Sequence, residues 1–319
     1  MRLALFVLFG TLHLVGVGQT APEFLQVPPD WKKGQRVSFD THMSVGMTMN
    51  DSVPFRTESS ARGILEVADL VSDGFVVTFQ SVGDMPVDMT MDFGFTDEGA
   101  RALLDSSMRM VMAFAEPFKD IQVTYLISRD GEVLDILEQD RLMRDIGTAM
   151  EKGLPKLIPD SLIDRLPGPV LDSLMQSQLD AIVQVQVNHL NVLLMGHLLG
   201  FPTSGKYRKE AMIDAVDAPL FEDAEPVKGW LEVMLVEETD QTLTGQLETI
   251  YDPEGLHEEL VKRHPDLDPT RWEGLEMREV RTFHFDLESG WIDRVNEVIT
   301  FSLPGIEGRS TTVTTLKLQ

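Results

Sequence analysis

Met43-Ser44-Val45-Gly46-Met47-Thr48-Met49 and Met85-Pro86-Val87-Asp88-Met89-Thr90-Met91 both read Met-x-Val-x-Met-x-Met. In an extended strand, successive side chains alternate faces, so each segment lays its four apolar residues on one side. Two such strands in one sheet would gather six methionines on one surface. A third group, Met108, Met110 and Met112, falls on a predicted helix, where Met108 and Met112 share a face and Met110 points elsewhere. Strands favour β-branched residues. Methionine is instead flexible and polarizable, and fits irregular or changing partners. Met43, Val45, Met47, Met49, Met85, Val87, Met89, Met91, Met108 and Met112 are therefore the candidate ligand-binding residues. Their chemistry suits a hydrophobic ligand or acyl chain held between sheet and helix. The competing reading is ordinary core packing of the same sheet on the same helices.

Other chemistry fits less well. Thioethers bind Cu(I), but His42 falls on the opposite strand face from Met43. His189 and His197 stand eight apart on a predicted helix with no ligand partner in sequence. Gly200-Phe201-Pro202-Thr203-Ser204-Gly205-Lys206 satisfies Gly-x4-Gly-Lys, but Tyr207 replaces the Ser or Thr a phosphate loop requires. Asp266-Leu267-Asp268 begins like a calcium loop, yet Arg271 and Met277 stand where glycine and glutamate are needed. No His-Glu-x-x-His and no Gly-x-Ser-x-Gly occurs. No catalytic residue, metal or cofactor is assigned, and the reading leans away from an enzyme while leaving that question open.

The chain has 319 residues with 27 basic and 52 acidic side chains, a formal charge of -25. That charge repels phosphate backbones and disfavours nucleic acid as a partner. The absence of cysteine removes disulfides, thiolate catalysis and cysteine-ligated metals. Arg2 followed by the apolar run Leu3 to Val17 has the form of a signal peptide and is too short for a comfortable span of ~20 residues. Cleavage is expected after Gly18, with Ala21 as the alternative. No cysteine follows the run, so the expected location is periplasmic or secreted, without lipid attachment. No later segment reads as transmembrane. The stretch Ala181 to Gly205, which lacks charged residues, carries too many Asn, Gln and His for lipid.

These residues need strands to position them. Arg36 to Met49 alternates and ends at Asn50-Asp51. Phe55 to Leu70 is a second strand, with an interruption expected around Ala61-Arg62-Gly63, and Asp73-Gly74 signals the hairpin to Phe75–Val82. Met85 to Phe93 continues that strand. Thr96 caps a helix reaching Ala115. Ile121–Ile127 and Glu132–Leu137 flank Asp130-Gly131. Helices are expected near Leu142–Met150 and, after Pro169, across Val170–Leu199. Strands return after Lys206, with hairpins around Asp240 and Ser289-Gly290. A short helix opens at Asp252, and Thr311–Leu318 forms a last strand.

The fold class is therefore α+β: a large curved antiparallel sheet of about nine or ten strands with helices on its concave face. Residues 1–18 form the signal, and 19–319 form a single β-rich domain with a helical insert at about 138–200. The two β-rich ends are alike, as two similar halves would be, although any all-β meander gives hairpins at this rate. The Trp31-Lys32-Lys33-Gly34 opening and the Tyr125–Val133 hairpin around Asp130-Gly131 resemble uncharacterised bacterial secreted β-rich proteins. The layout also resembles, at fold level, periplasmic lipoprotein carriers, which implies lipid or another apolar molecule as partner. The expected function is an exported, non-enzymatic protein that binds or carries a hydrophobic ligand or acyl chain in a Met-lined cavity. A structural or interaction module of the cell envelope, with no ligand, is the alternative.

Overall fold

The computed structural model describes residues 23–49, 52–81, 90–92, 116–118, 121–157, 193–213, 225–266 and 268–319, and positions 168, 170, 173, 176, 177 and 190. The apolar leader, the helix expected from Thr96 and the segment 82–89 lie outside the described residues.

The chain enters at β1 (Phe24–Leu25), then walks through β2 (Arg36–Met49), β3 (Ser52–Val71), β4 (Gly74–Ser81), β5 (Thr90–Asp92), β6 (Gln122–Ser128) and β7 (Val133–Leu137). Helix α1 (Gln139–Leu157) follows. After it come β8 (Phe201–Pro202), β9 (Lys206–Ile213), β10 (Val227–Glu238), β11 (Thr242–Tyr251), helix α2 (Pro253–Arg263), β12 (Glu276–Asp286), β13 (Trp291–Leu303) and β14 (Ile306–Leu318). β1 pairs with β8. The rest form one 12-stranded antiparallel sheet, with β5 on β3 and the order β7-β6-β4-β3-β2-β14-β13-β12-β11-β10-β9. The sheet is open, with β7 and β9 as its edges. It exceeds the nine or ten strands expected because β5 and β9 also pair into it.

This order has a simple logic. The first meander starts mid-sheet and walks out to the β7 edge. The second starts at the far edge, β9, and walks back until β14 meets β2. The connection from β7 to β9 must cross ten strand spacings, about 48 Å at ~4.8 Å each if the sheet were laid flat. Helix α1 and the helical residues 193–198 belong to that connection. They must lie over one face of the sheet, which explains the amphipathic pattern of α1 and the burial of most of 193–198.

That face carries the main core. Val37, Phe39, Leu65, Val77, Phe79, Leu243, Phe283 and Phe285 join Leu142, Ile146, Ala149 and Met150 of α1 and Leu190, Leu193 and Leu194 of the crossing segment. A smaller core lies under the far end, where Leu256 and Leu260 of α2 pack on Tyr251, Met277 and Leu303. Asp252 caps α2 by accepting from Gly255 N–H.

The interruption expected near Gly63 does not occur, and β3 runs unbroken for 20 residues. Gly63 pairs with Phe39 on β2. A Cβ added there would lie 2.0 Å from the Phe39 ring, so the neighbour's ring occupies the space that the glycine leaves. Gly308 repeats the device with Phe301, its partner on β13. Helix α1 also runs two residues past Pro155.

Candidate functional site

The strand register places the methionine pattern. Met43, Val45 and Met47 alternate on β2 and share a face with Phe39, all three half-buried. Val45 pairs with Thr57, and Thr57 pairs with Met91, so the register brings the β2 and β5 segments to one face of one sheet. Met49 and Met91 are described by backbone position. Met85, Val87, Met89, Met108 and Met112 lie outside the described residues.

The lanes around these residues are mixed in character. The Met43 lane runs Ser59–Met43–Thr312–Glu297–Arg281–Leu247, and the Val45 lane runs Met91–Thr57–Val45–Ser310–Ile299–Glu279. In the Met47 lane, Gly308, Phe301 and Met277 lead into the smaller core.

Sequence reading missed a buried ionic cluster on this face. Arg281 Nε donates to Glu297 Oε1 at 2.6 Å, and Arg281 also pairs with Glu279. Its Nη1 donates to Met195 Sδ of the crossing segment at 3.1 Å. Burial opposes the charge of Arg281, but the two carboxylates outweigh it and hold the guanidinium protonated. Alternation did carry a signal: Met277, Glu279, Arg281, Phe283 and Phe285 share one side of β12.

The opposite face, at the same end of the sheet, holds a hollow of about 870 Å³. One lane of paired residues borders it across seven strands: Trp230 on β10, Ile250 on β11, Arg278 on β12, Thr300 on β13, Arg309 on β14, Gly46 on β2 and Arg56 on β3. Met47, Tyr251, Met277, Phe301 and Gly308 border it from the adjoining lane. Ser44, Gly46 and Thr48, the polar side of the methionine motif, thus face this hollow, and Met47 is where the methionine lane meets it.

The charges are arranged in order. Arg278 Nε pairs with Glu248 Oε1 at 2.6 Å, and Arg56 pairs with Glu58. Arg309, between them, forms no ion pair or side-chain hydrogen bond among the described residues. Trp230 carries the Arg208 guanidinium 5.1 Å from its ring centroid. Among the described residues, no group of three metal-ligating side chains comes together.

No family model and no curated protein sequence matches the chain. Among solved structures, it is similar to one titled for lipid–protein interactions in lipovitellin: 12% identity, TM-score 0.46, covering 91% of this chain. The match spans 26% of that protein, about a quarter of its length. An outer membrane channel from Pseudomonas putida F1 is similar at 7% identity, TM-score 0.20, with 91% and 97% of the two chains covered. At such TM-scores, neither likeness bears on what the chain does.

Proposed function

We propose that the protein is exported to the bacterial periplasm or beyond and carries an apolar ligand, such as an acyl chain, in the hollow on its sheet. The observation that carries this reading is the bordering lane. Laid flat, six spacings of ~4.8 Å separate Trp230 from Arg56 by about 29 Å. Both border one hollow of about 870 Å³, which supports a sheet bent around it. That volume lies within the ~300–1,000 Å³ of small-molecule sites. Trp230 and Ile250 supply apolar contact on the face of the hollow, and Met47 and Phe301 reach its border from the adjoining lane. Among the described residues, no helix is long and apolar enough to cross a membrane.

Gly46 supports the same reading. Its backbone is ordinary strand, and a Cβ added there would meet nothing within 4 Å. Neither backbone strain nor packing calls for glycine, which weakens a strand. Room for a ligand would account for it.

A second reading, a structural module of the envelope, is favoured by the Met47 lane, which continues into packed core at Met277. Native mass spectrometry of the chain purified from a bacterial periplasm separates the two. The carrier reading expects a co-purifying apolar molecule that is lost in Gly46→Trp, which fills the hollow, and kept in Gly46→Ala. Wild-type protein that is always empty, or a Gly46→Trp variant that retains the same molecule, overturns it.

A further inference from the structure

Taking that hollow as a ligand site, we propose that its ligand is a long-chain carboxylate, seated with its head at Arg309 and its tail toward Trp230 and Ile250. The inference rests on the carrier reading and goes past it to the class of ligand and its orientation.

The bordering lane is polar at one end and apolar at the other. Arginines occupy alternate strands, Arg278 on β12, Arg309 on β14 and Arg56 on β3, with Thr300 and Gly46 between them. The next two strands offer Ile250 and Trp230. An uncharged apolar ligand would have no use for the cationic end. An anion without a chain would have no use for the apolar end. A molecule with both parts matches the lane along its length.

The pairing pattern selects the head. The outer two arginines have Glu248 and Glu58. Arg309 has no such partner among the described residues, although Glu307 stands two positions along the same strand face. Gly46, its cross-strand neighbour on β2, leaves open space beside it. A guanidinium presents a planar fork that matches a carboxylate with two parallel hydrogen bonds. One unpaired cation balances a single negative charge, which a carboxylate carries and a phosphate monoester exceeds at neutral pH.

Calorimetric titration of delipidated full-length protein at neutral pH, with dodecanoate, dodecanol and dodecyl phosphate as probes, tests this. Dodecanoate is expected to bind about tenfold or more tighter than dodecanol, as a charge-assisted pair would give. Arg309→Gln should remove that difference, chiefly by weakening dodecanoate. Gly46→Trp should abolish binding of both. Equal binding of acid and alcohol, or an Arg309→Gln variant that keeps the preference, overturns the head-group assignment and leaves the carrier reading standing. Dodecyl phosphate binding tighter than dodecanoate overturns the choice of carboxylate. Failure of all three probes to bind wild type overturns the carrier reading with it.

Discussion

Arg281 sits between Glu279 and Glu297 on the core face and reaches Met195 on the segment that crosses the sheet. Removing one member of a buried ionic group leaves its partners charged and dry. Arg281→Met is expected to cost about 3–5 kcal/mol in urea denaturation. The triple change with Glu279→Leu and Glu297→Leu should recover most of that, since no stranded charge remains. If Arg281→Met alone is mild, the cluster is wetter than its burial indicates. Two glycines give a second contrast. At Gly63, a side chain would collide with the Phe39 ring and the Gln80 carbonyl. Gly63→Val should destabilise by about 1–3 kcal/mol. At Gly46 there is open space, so Gly46→Ala should stabilise by about 0.5–1 kcal/mol. Equal effects at the two sites would refute the open space at Gly46.

At the scale of elements, the lead-in 23–31 is fixed by the crossing segment and by β13. His197 Nδ1 lies 2.8 Å from the Val27 carbonyl, and Trp31 stacks on Trp291 at 4.4 Å between ring centroids. Burial lowers the His197 pKa to about 4, against an ordinary value of 6.5, although the bond to Val27 opposes the shift. The unfolded chain takes up this proton as pH falls below 6.5, while the folded chain resists until about 4. This contribution is therefore whole above pH 6.5 and is lost between 6.5 and about 4, amounting to about 3 kcal/mol. Urea midpoints should fall across that window, and His197→Gln should flatten the fall. A wild-type profile as flat as that of the variant would count against a neutral buried imidazole.

Much of this level was readable in the sequence. The Asp73-Gly74 turn, the Asp130-Gly131 turn and the Asp252 cap act locally, so spacing reveals them. Alternation also gave the correct face for His42 relative to Met43. Alternation does not name the partner strand. The hollow's bordering lane takes one residue from each of seven strands, from Gly46 to Arg309, and no local pattern joins them. The continuity of β3 through Gly63 was hidden for the same reason, because the ring that replaces its side chain belongs to β2.

At the scale of the whole molecule, the sheet has to protect two edges. β7 is short, at five residues. β9 is longer, at eight residues, and bears exposed Lys206, Arg208 and Lys209 on a chain of charge -25. Such charges discourage strand-to-strand association. Replacing Arg208 with threonine and Lys209 with valine is expected to shift gel-filtration elution toward dimers and larger species. Unchanged elution would mean that something other than charge guards this edge. The seam between the meanders is also non-local, since residues of β2 pair with partners near the other end of the sequence. Sheets that depend on such pairings refold slowly, so stopped-flow recovery should extend to seconds or longer. Millisecond recovery would show that the seam is not what limits folding.

That seam also bears on biosynthesis. β2 cannot acquire its neighbour until the ribosome has made residues 50–305 and then β14, about 15–50 s at ordinary elongation rates. Through that interval the nascent chain carries a 14-residue strand with one row of amide and carbonyl groups unsatisfied. Until β14 arrives, that row is a template on which a second nascent copy could pair.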